Sequence, residues 1–362
     1  MHHSTFVIAE AGVNHNGDIK LAKQLIDVAV EAGADAVKFQ TFKADLLVTK
    51  DTPKAGYQAL NTGVDDGQYA MLKALELSEQ DHLVLYQHCQ DKGIAFMSTP
   101  FDVDSLDFLR QFRMPYLKVP SGEITNALLL WHAGRSGIPI ILSTGMATLS
   151  DIDFALAVIL FGRTTERMPA STQDILRHRS EAYSNGVVLE QVTLLHCTTE
   201  YPTPLSQVNL RAMQHLHHSF ALPVGYSDHS QSVLVPAAAV AAGAVCIEKH
   251  FTLSRAMPGP DHAASMEPEQ LKQMILMIRE TELALGRAVK YPQPAEFDTQ
   301  QIARQRLVAK IAVKAGEIFT LKNLTTARCP KGISANEIWT LLGQVALKDY
   351  ELMEPVCQSL NL

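Results

Sequence analysis

Short apolar runs with strand character alternate with longer amphipathic stretches from near the start of the chain to about residue 285. This alternation is typical of repeated strand–helix units on a parallel sheet. The helical stretches at residues 21–32 and 233–242 carry the small and branched apolar residues expected of a helix that lies on such a sheet. The predicted strands are residues 5–9, 36–39, 94–97, 116–119, 139–142, 192–195, 223–226 and 245–247. Eight repeats favour an α/β fold closed into a (β/α)8 barrel of the TIM type over an open sheet.

Polar side chains follow nearly all of the predicted strands. In a barrel of this type, the C-terminal ends of the strands meet at one mouth, where the active site is assembled. The polar strand ends are Glu10, Lys38, Gln40, Ser98, Thr99, Lys118, Ser121, Glu123, Ser143, Thr144, His196, Ser227, His229, Glu248 and His250. One of these alone is compatible with a turn or a cap, but together they predict a ring of polar groups around the mouth.

Two insertions and a change of character near residue 287 indicate how the chain is organised. Residues 43–75, after the second strand, are predicted to cover the mouth, whereas the polar residues 161–190 are predicted to be peripheral. We therefore expect a barrel domain at residues 1–286, a linker at 287–303 and a small β-rich domain at 304–362.

Composition and charge narrow the classes of function. The 362 residues are 47% hydrophobic and 19% charged, which allows a large core and argues against disordered and fibrous classes. The formal net charge of -7 lacks the basic excess typical of proteins that bind nucleic acids or anionic membranes, so we expect neither partner. The five cysteines are scattered, and we find neither a membrane-spanning run nor a signal peptide; the predicted location is the cytoplasm.

Two lysines give the predicted mouth a local positive charge. Lys38 and Lys118 end different strands and are expected to point into the same space, where they suit a phosphate or a carboxylate. Strand-end hydroxyl groups can donate to the same anion, at Thr99, Ser121, Ser143 and Ser227. Alternatively, both lysines form salt bridges with barrel carboxylates, and the sequence leaves the two interpretations open.

His229 and His250 end the seventh and eighth strands, which places them at neighbouring strand tips. Two imidazoles do not complete a closed zinc site, and the open positions favour a weakly held, Mn²⁺-like ion. The alternative is that hydrogen bonds satisfy both rings. His196 is a third candidate for a metal ligand. It lies in an apolar segment, however, and Cys197 beside it is typical of a packed core.

Four carboxyl groups near the mouth can transfer protons or bind hydroxyl groups of a ligand. They are Glu10, Glu123, Glu248 and Asp261, and the last of these follows a rigid Pro-Gly-Pro turn. For each, a structural ion pair with a barrel lysine is the alternative.

Over essentially its whole length the chain resembles the sialic acid synthase family, which includes the N-acetylneuraminate, legionaminate and pseudaminate synthases. The motifs that carry the resemblance lie at residues 9–17, 37–41, 98–101, 118–123, 142–146, 196–198, 201–204, 227–230, 248–251 and 258–262. The resemblance implies a transferase that condenses phosphoenolpyruvate with an N-acetylated aldose to give a nonulosonic acid and phosphate. The implied acceptor is N-acetylmannosamine or a 2,4-diacetamido-2,4,6-trideoxyhexose.

The resemblance also implies roles for single residues. It implies that His229 and His250 are catalytic metal ligands, with Mn²⁺ as the first choice of ion and Mg²⁺ or Co²⁺ as alternatives. It also implies that Glu10 and Glu123 are the candidates for the catalytic acid and base. The residues implied to bind phosphoenolpyruvate are Lys38, Gln40, Thr99, Lys118, Ser121, Ser143 and Ser227. The residues implied to face the sugar are Asn61, Glu123, Tyr201, Asp261 and Arg328.

Arg328 belongs to the C-terminal domain, which resembles the antifreeze-like (SAF, β-clip) domain of these enzymes. In the family this domain reaches across a domain-swapped homodimer and presents an arginine to the partner's sugar site. Relatives usually read Arg-Pro-Gly-x-Gly there, whereas this chain reads Arg328-Cys329-Pro330-Lys331-Gly332.

Two other functions stay open. A phosphoenolpyruvate-condensing barrel that uses a phosphorylated aldose would need a second phosphate site, and the sequence offers no spare basic cluster. A carbohydrate-binding protein without catalysis would not need the ring of polar strand ends, and a phosphate-release assay separates it from an enzyme.

Overall fold

The computed structural model describes residues 4–54, 56 and 67–359. The chain forms two compact units, with the division between Gly286 and Arg287. Among the helices formed by the described residues, none combines the length and the apolar character that crossing a bilayer requires.

Eight parallel strands form the sheet of the first unit. They are β1 (Phe6–Gly12), β2 (Ala36–Thr41), β3 (Ala95–Pro100), β4 (Leu117–Val119), β5 (Ile140–Ser143), β6 (Val192–His196), β7 (Val224–Asp228) and β8 (Cys246–His250). The hydrogen-bonded order is β3-β2-β1-β8-β7-β6-β5-β4, and the backbones of the two end strands approach within 8 Å of each other. The sheet closes almost completely, so the predicted (β/α)8 barrel is confirmed.

Several strands extend farther toward the mouth than the apolar runs indicate. β1 continues to Gly12 and β8 to His250. The backbone ladder runs through the polar residues, since Glu10 is the register partner of Lys38 on one side and of His250 on the other. These polar groups therefore lie on the rigid sheet and not in loops.

Helices flank the strands, and their ends follow from local sequence. They are α1 (Ile19–Ala32), α2 (Ala44–Leu47), α3 (Gly67–Leu75), α4 (Glu79–Lys92), α5 (Val103–Leu109), α6 (Ala127–Arg135), α7 (Leu149–Thr164), α8 (Thr172–Ser184), α9 (Ala212–Phe220), α10 (Leu234–Ala241) and α11 (Pro268–Leu285). The Asp18 side chain caps α1 by accepting from the Lys20 amide, and Gly33 ends the helix at φ +84°. In the predicted peripheral segment, α8 packs on α7.

Two apolar clusters on opposite faces of the sheet show on which face the ring of polar side chains lies. The larger cluster joins outward-facing strand residues to the helices, while Ile8, Ala36, Met97, Ile141, Leu195 and Cys246 form a separate one. Side chains two residues apart on a strand share a face. Glu10 and Lys38 are two residues beyond Ile8 and Ala36, so the polar ring lies on the same face as this inner cluster, nearer the mouth.

The second unit has its own small core. Its elements are α12 (Phe297–Ala303), β9 (Gln305–Ala309), β10 (Leu324–Arg328) and α13 (Ile338–Leu341), with β9 and β10 antiparallel. The buried core residues are Leu307, Ala309, Val313, Phe319, Leu324, Leu341, Ala346, Tyr350 and Val356. The segment predicted as a linker includes the short helix α12.

Candidate active site

A cavity of about 300 Å³ opens at the C-terminal ends of the strands. The predicted site residues that line it are Glu10, Lys38, Gln40, Thr99, Lys118, Ser121, Glu123, Ser143, Tyr201, Ser227, His229, His250 and Asp261. Asn61 lies outside the described residues. Arg328 is in the second unit, where it ends β10. The barrel thus gathers side chains from strands far apart in the sequence.

Two lysines and two glutamates form a buried cluster at the base of the cavity. Lys38 Nζ is 2.5 Å from Glu10 Oε2 and 3.5 Å from Glu248 Oε2. Lys118 Nζ is 3.6 Å from Glu248 Oε1, which also accepts a hydrogen bond of 2.7 Å from Ser227 Oγ. Both lysines therefore form ion pairs and also line the cavity, so the two alternatives for them are not exclusive.

Each lysine also donates to a strand-end hydroxyl group. Lys38 Nζ bonds to Thr99 Oγ1 at 2.8 Å, and Lys118 Nζ bonds to Ser143 Oγ at 2.7 Å. The hydroxyl groups hold the ammonium groups at fixed positions in the cavity, where an incoming anion would meet a preorganised cluster.

The charge of this cluster follows from burial and from its ion pairs. Burial raises the pKa of Glu10 well above its usual range, and the opposing effect of Lys38 is smaller. Burial alone would also raise the pKa of Glu248, but Lys118 and Lys38 outweigh it and lower that pKa. Burial lowers the pKa of Lys118, and Glu248 opposes this shift. With Glu10 protonated and both lysines charged, two ammonium groups face one carboxylate, which leaves a net positive charge for an anionic substrate.

His229 and His250 lie side by side at the tips of β7 and β8, with ring centroids 5.6 Å apart. The Nδ1 atom of His229 donates to the Thr198 carbonyl at 2.7 Å, an assignment that leaves Nε2 with its lone pair. Burial lowers the pKa of His229 to about 4 and the pKa of His250 well below its usual value. Both rings are therefore neutral near pH 7, which is the form that binds a metal.

The histidine pair fits one shared divalent ion. Two imidazoles that bind one ion at about 2 Å have ring centres roughly 5 Å apart, close to the observed separation. His250 Nδ1 is buried without a hydrogen-bond partner, and Asp261 Oδ2 is 3.9 Å from it. Within the described part of the chain, no cluster of three or more His, Cys, Asp or Glu side chains meets the geometry of a metal site. The donor set thus fits a loosely held ion with open positions rather than a closed structural site.

Three features of the site go beyond the sequence predictions. Glu248, predicted only as one of several carboxylates, lies between both lysines and Ser227. The Tyr201 ring lies 4.1 Å from the ring of His229, centroid to centroid. Behind the two histidines, Lys249 Nζ forms a fully buried ion pair of 2.7 Å with Asp228 Oδ2. Strand alternation alone could have placed Lys249 on the outer face of the sheet, but it could not have identified Asp228 as the partner of Lys249.

The insertion after β2 forms one side of the cavity. Helices α2 and α3 and the residue after α2 supply an apolar wall, defined as Leu47, Val48, Met71, Leu72 and Leu75. The sequence predicted a cover from this segment, but the segment's length did not show which residues face inward.

The chain is similar to known proteins in both sequence and structure. The NeuB family model matches residues 25–290. The chain is 46% identical over 347 residues to the N,N'-diacetyllegionaminic acid synthase of Campylobacter jejuni, covering 96% of this chain and 97% of the relative. It is 44% identical over 338 residues to the protein of the same name from Legionella pneumophila, covering 93% and 89%. The N-acetylneuraminic acid synthetase structure from Leptospira borgpetersenii, a complex with citrate, is 32% identical at a TM-score of 0.65, covering 82% and 90%.

Proposed function

The chain belongs to the NeuB family, and we propose that it condenses phosphoenolpyruvate with 2,4-diacetamido-2,4,6-trideoxymannose to give N,N'-diacetyllegionaminic acid and phosphate. The observation that carries the choice of sugar is the identity of 46% and 44%, over nearly the whole chain, to two relatives named for that product. The cavity supports the reaction class, because it combines buried ammonium groups with a pair of neutral imidazoles.

Phosphoenolpyruvate binds at the lysine cluster. Its phosphate and carboxylate take over ammonium contacts that Glu10 and Glu248 otherwise make, and the hydroxyl groups of Thr99 and Ser143 remain beside the lysines. Charge-assisted hydrogen bonds to Lys38 and Lys118 then fix the enol toward the sugar. Gln40, Ser121 and Ser227 complete this side of the site.

His229 and His250 would hold a divalent ion, with Mn²⁺ as the first choice and Mg²⁺ or Co²⁺ as alternatives. The bound ion would supply Lewis-acid polarisation of the open-chain aldehyde of the sugar. The methylene carbon of phosphoenolpyruvate bonds to the aldehyde carbon, whose oxygen takes up a proton. The new bond uses the electrons of the enol double bond and leaves C2 electron-deficient. A water oxygen bonds to C2 and gives up one proton. The bond between C2 and the phosphate oxygen then breaks, the C2 hydroxyl group becomes the carbonyl group, and its proton leaves with phosphate.

Glu10 is placed to supply the proton for the new hydroxyl group. Glu10 Oε1 and His250 Nδ1 lie 3.3 and 3.4 Å from the position that a Cβ on Gly12 would occupy, so the carboxyl group is next to the histidine pair. Its raised pKa keeps a proton available. Glu123, whose pKa burial also raises, stays the second candidate and the acceptor for the proton of water.

The sugar lies toward Glu123, Tyr201 and Asp261. We also propose a homodimer in which the antifreeze-like domain of one subunit brings Arg328 to the sugar in the other subunit's cavity. The family resemblance supports this arrangement. The cysteine at position 329 is a departure that the loop must accommodate.

The substrate is tested with four acceptors: N-acetylmannosamine, 2,4-diacetamido-2,4,6-trideoxymannose, its altro isomer and N-acetylmannosamine 6-phosphate. Each is incubated with the enzyme, phosphoenolpyruvate and Mn²⁺, phosphate release is followed, and the products are identified by mass. We expect the diacetamido mannose to give the highest kcat/KM. A higher kcat/KM with any other acceptor would refute the substrate assignment. If no acceptor leads to phosphate release, the proposed synthase activity is refuted.

The phosphorylated acceptor is the least expected. Among the described residues that line the cavity, the lysines and arginines are Lys38 and Lys118 only, and the phosphate and carboxylate of phosphoenolpyruvate already use both. A second phosphate group would find no further lysine or arginine among these lining residues.

A further inference from the structure

The cavity has two chemically different sides. The strand ends supply ammonium, carboxyl and hydroxyl groups, whereas the insertion supplies the apolar wall of Leu47, Val48, Met71, Leu72 and Leu75. Phosphoenolpyruvate is a small, strongly polar anion, and the lysine cluster accounts for its groups. The apolar wall is therefore suited to an apolar ligand group, which phosphoenolpyruvate does not provide.

The wall belongs to an apolar cluster that is separate from the barrel core. Met71, Leu72 and Leu75 pack with Val13 and Phe42, and Leu47 and Val48 lie against them. Phe101, at the tip of β3, packs edge-on against Phe42 at 6.0 Å and also lines the cavity. The insertion thus brings its own small core to the mouth and leaves one side of it facing the cavity.

Polar contacts on the outer side of the insertion hold the wall in place. Asp45 accepts hydrogen bonds from Tyr69 Oη at 2.6 Å and from Lys73 Nζ at 3.1 Å, which ties α2 to α3. The Ala44 amide donates to Glu76 Oε1. Beneath α3, a Cβ on Gly17 would lie 2.6 Å from the Ala74 carbonyl oxygen, so the backbone there supports the helix directly.

We infer that the apolar wall is a subsite for the two methyl groups that N-acetylmannosamine lacks, at C6 and on the C4 acetamido group of the acceptor sugar. The inference rests on the proposed function and deepens it. The diacetamido sugar carries three methyl groups, one on each acetamido group and one at C6, whereas N-acetylmannosamine carries one methyl group and has hydroxyl groups at C4 and C6. Contact with the wall favours each added methyl group by about fourfold in kcat/KM, from the transfer of one carbon out of water.

Leu47 and Leu46 provide a matched pair of positions for the test. Both lie on α2, but Leu47 lines the cavity and Leu46 does not, being 54% exposed. For Leu47→Ser we expect kcat/KM with the diacetamido sugar to fall about fourfold to tenfold, since a hydroxyl group replaces an apolar contact. The value with N-acetylmannosamine should change less than twofold, and the KM for phosphoenolpyruvate should stay constant. Leu46→Ser should change none of these.

A conservative variant and a melting curve separate recognition from folding. Leu47→Met keeps the apolar contact and should retain the preference of the unchanged enzyme, and thermal unfolding should show all three variants folded at the assay temperature. If Leu47→Ser lowers kcat/KM for both sugars by the same factor, or lowers it for neither, the subsite is refuted while the synthase stands. If the unchanged enzyme does not condense the diacetamido sugar, the proposed substrate and the subsite fail together.

Discussion

His250 carries a buried ring nitrogen without a hydrogen-bond partner, 3.9 Å from Asp261 Oδ2. Such a group is costly unless a ligand completes it. We therefore expect His250→Ala to weaken Mn²⁺ binding by more than about tenfold, since loss of an outer-shell partner alone weakens metal sites by about 10- to 100-fold. Mn²⁺ titration of the metal-free protein, by calorimetry or electron paramagnetic resonance, measures this directly.

His196→Gln is the control for this change. The His196 ring bonds to the Val208 carbonyl at 2.9 Å and does not line the cavity, so the affinity for Mn²⁺ should stay within about twofold of the original value. Equal affinities of the original protein and His250→Ala would exclude His250 as a ligand.

The ion pair between Lys249 and Asp228 is fully buried, and its energetic role differs from that of a surface pair. Removing one partner leaves a charge that is neither solvated nor paired, which costs about 3–5 kcal/mol. Lys249→Met should therefore lower the free energy of unfolding by about that amount in urea titrations. Lys314→Met, in the exposed pair with Asp349, should leave it essentially unchanged, because solvent screens an exposed pair.

The double change Asp228→Leu with Lys249→Met is informative about the cause. If the cost arises from an unpaired charge, removing both charges should restore most of the stability. An equally unstable double variant would instead indicate that the two polar groups are needed for packing at the β7 and β8 tips.

Sequence reasoning predicted the cavity residues better than their partners. Strand alternation and polar strand ends were enough to place Lys38, Lys118, His229 and His250 at one mouth. The pairing of both lysines with Glu248 could not be predicted, because it depends on side-chain directions across strands that are not neighbours in the sheet. The contact between Tyr201 and His229 could not be predicted either, because Tyr201 lies in the loop after β6 and its direction depends on how that loop folds.

At the scale of secondary structure, repetition made the barrel predictable. All eight predicted strands are present, because each apolar run is separated from the next by a longer helical stretch. The predicted strands end too early, because the backbone hydrogen-bond ladder continues through buried polar residues such as Glu10. Hydropathy alone assigns such polar residues to loops.

Short elements were harder to predict than long ones. The four-residue helix α2 has no intrinsic stability of its own. It forms because Asp45 binds α3 and because its apolar residues join the cluster at the mouth. These are tertiary contacts, so the sequence predicted that a cover exists but not that it is helical or that its inner face is apolar.

At the scale of the whole molecule, the sequence changes character near residue 287, and the second unit, which begins there, builds a separate core. The relation between subunits is not encoded in any pattern along one chain. Arg328 therefore needs a test in which two different subunits are combined.

Subunit mixing distinguishes an arginine that acts in its own subunit from one that acts in the partner. In the proposed homodimer, Arg328→Ala and His250→Ala should each be inactive on their own, the first for lack of the arginine and the second for lack of a proposed metal ligand. After dissociation and reassociation of an equal mixture, half of the dimers are hybrids. If Arg328 acts across the interface, each hybrid contains one complete site, and phosphate release should recover to about a quarter of the original activity. If it acts within its own subunit, each site in the hybrid lacks one essential group and activity stays at background. Reassociation of each variant with itself controls for recovery caused by the procedure.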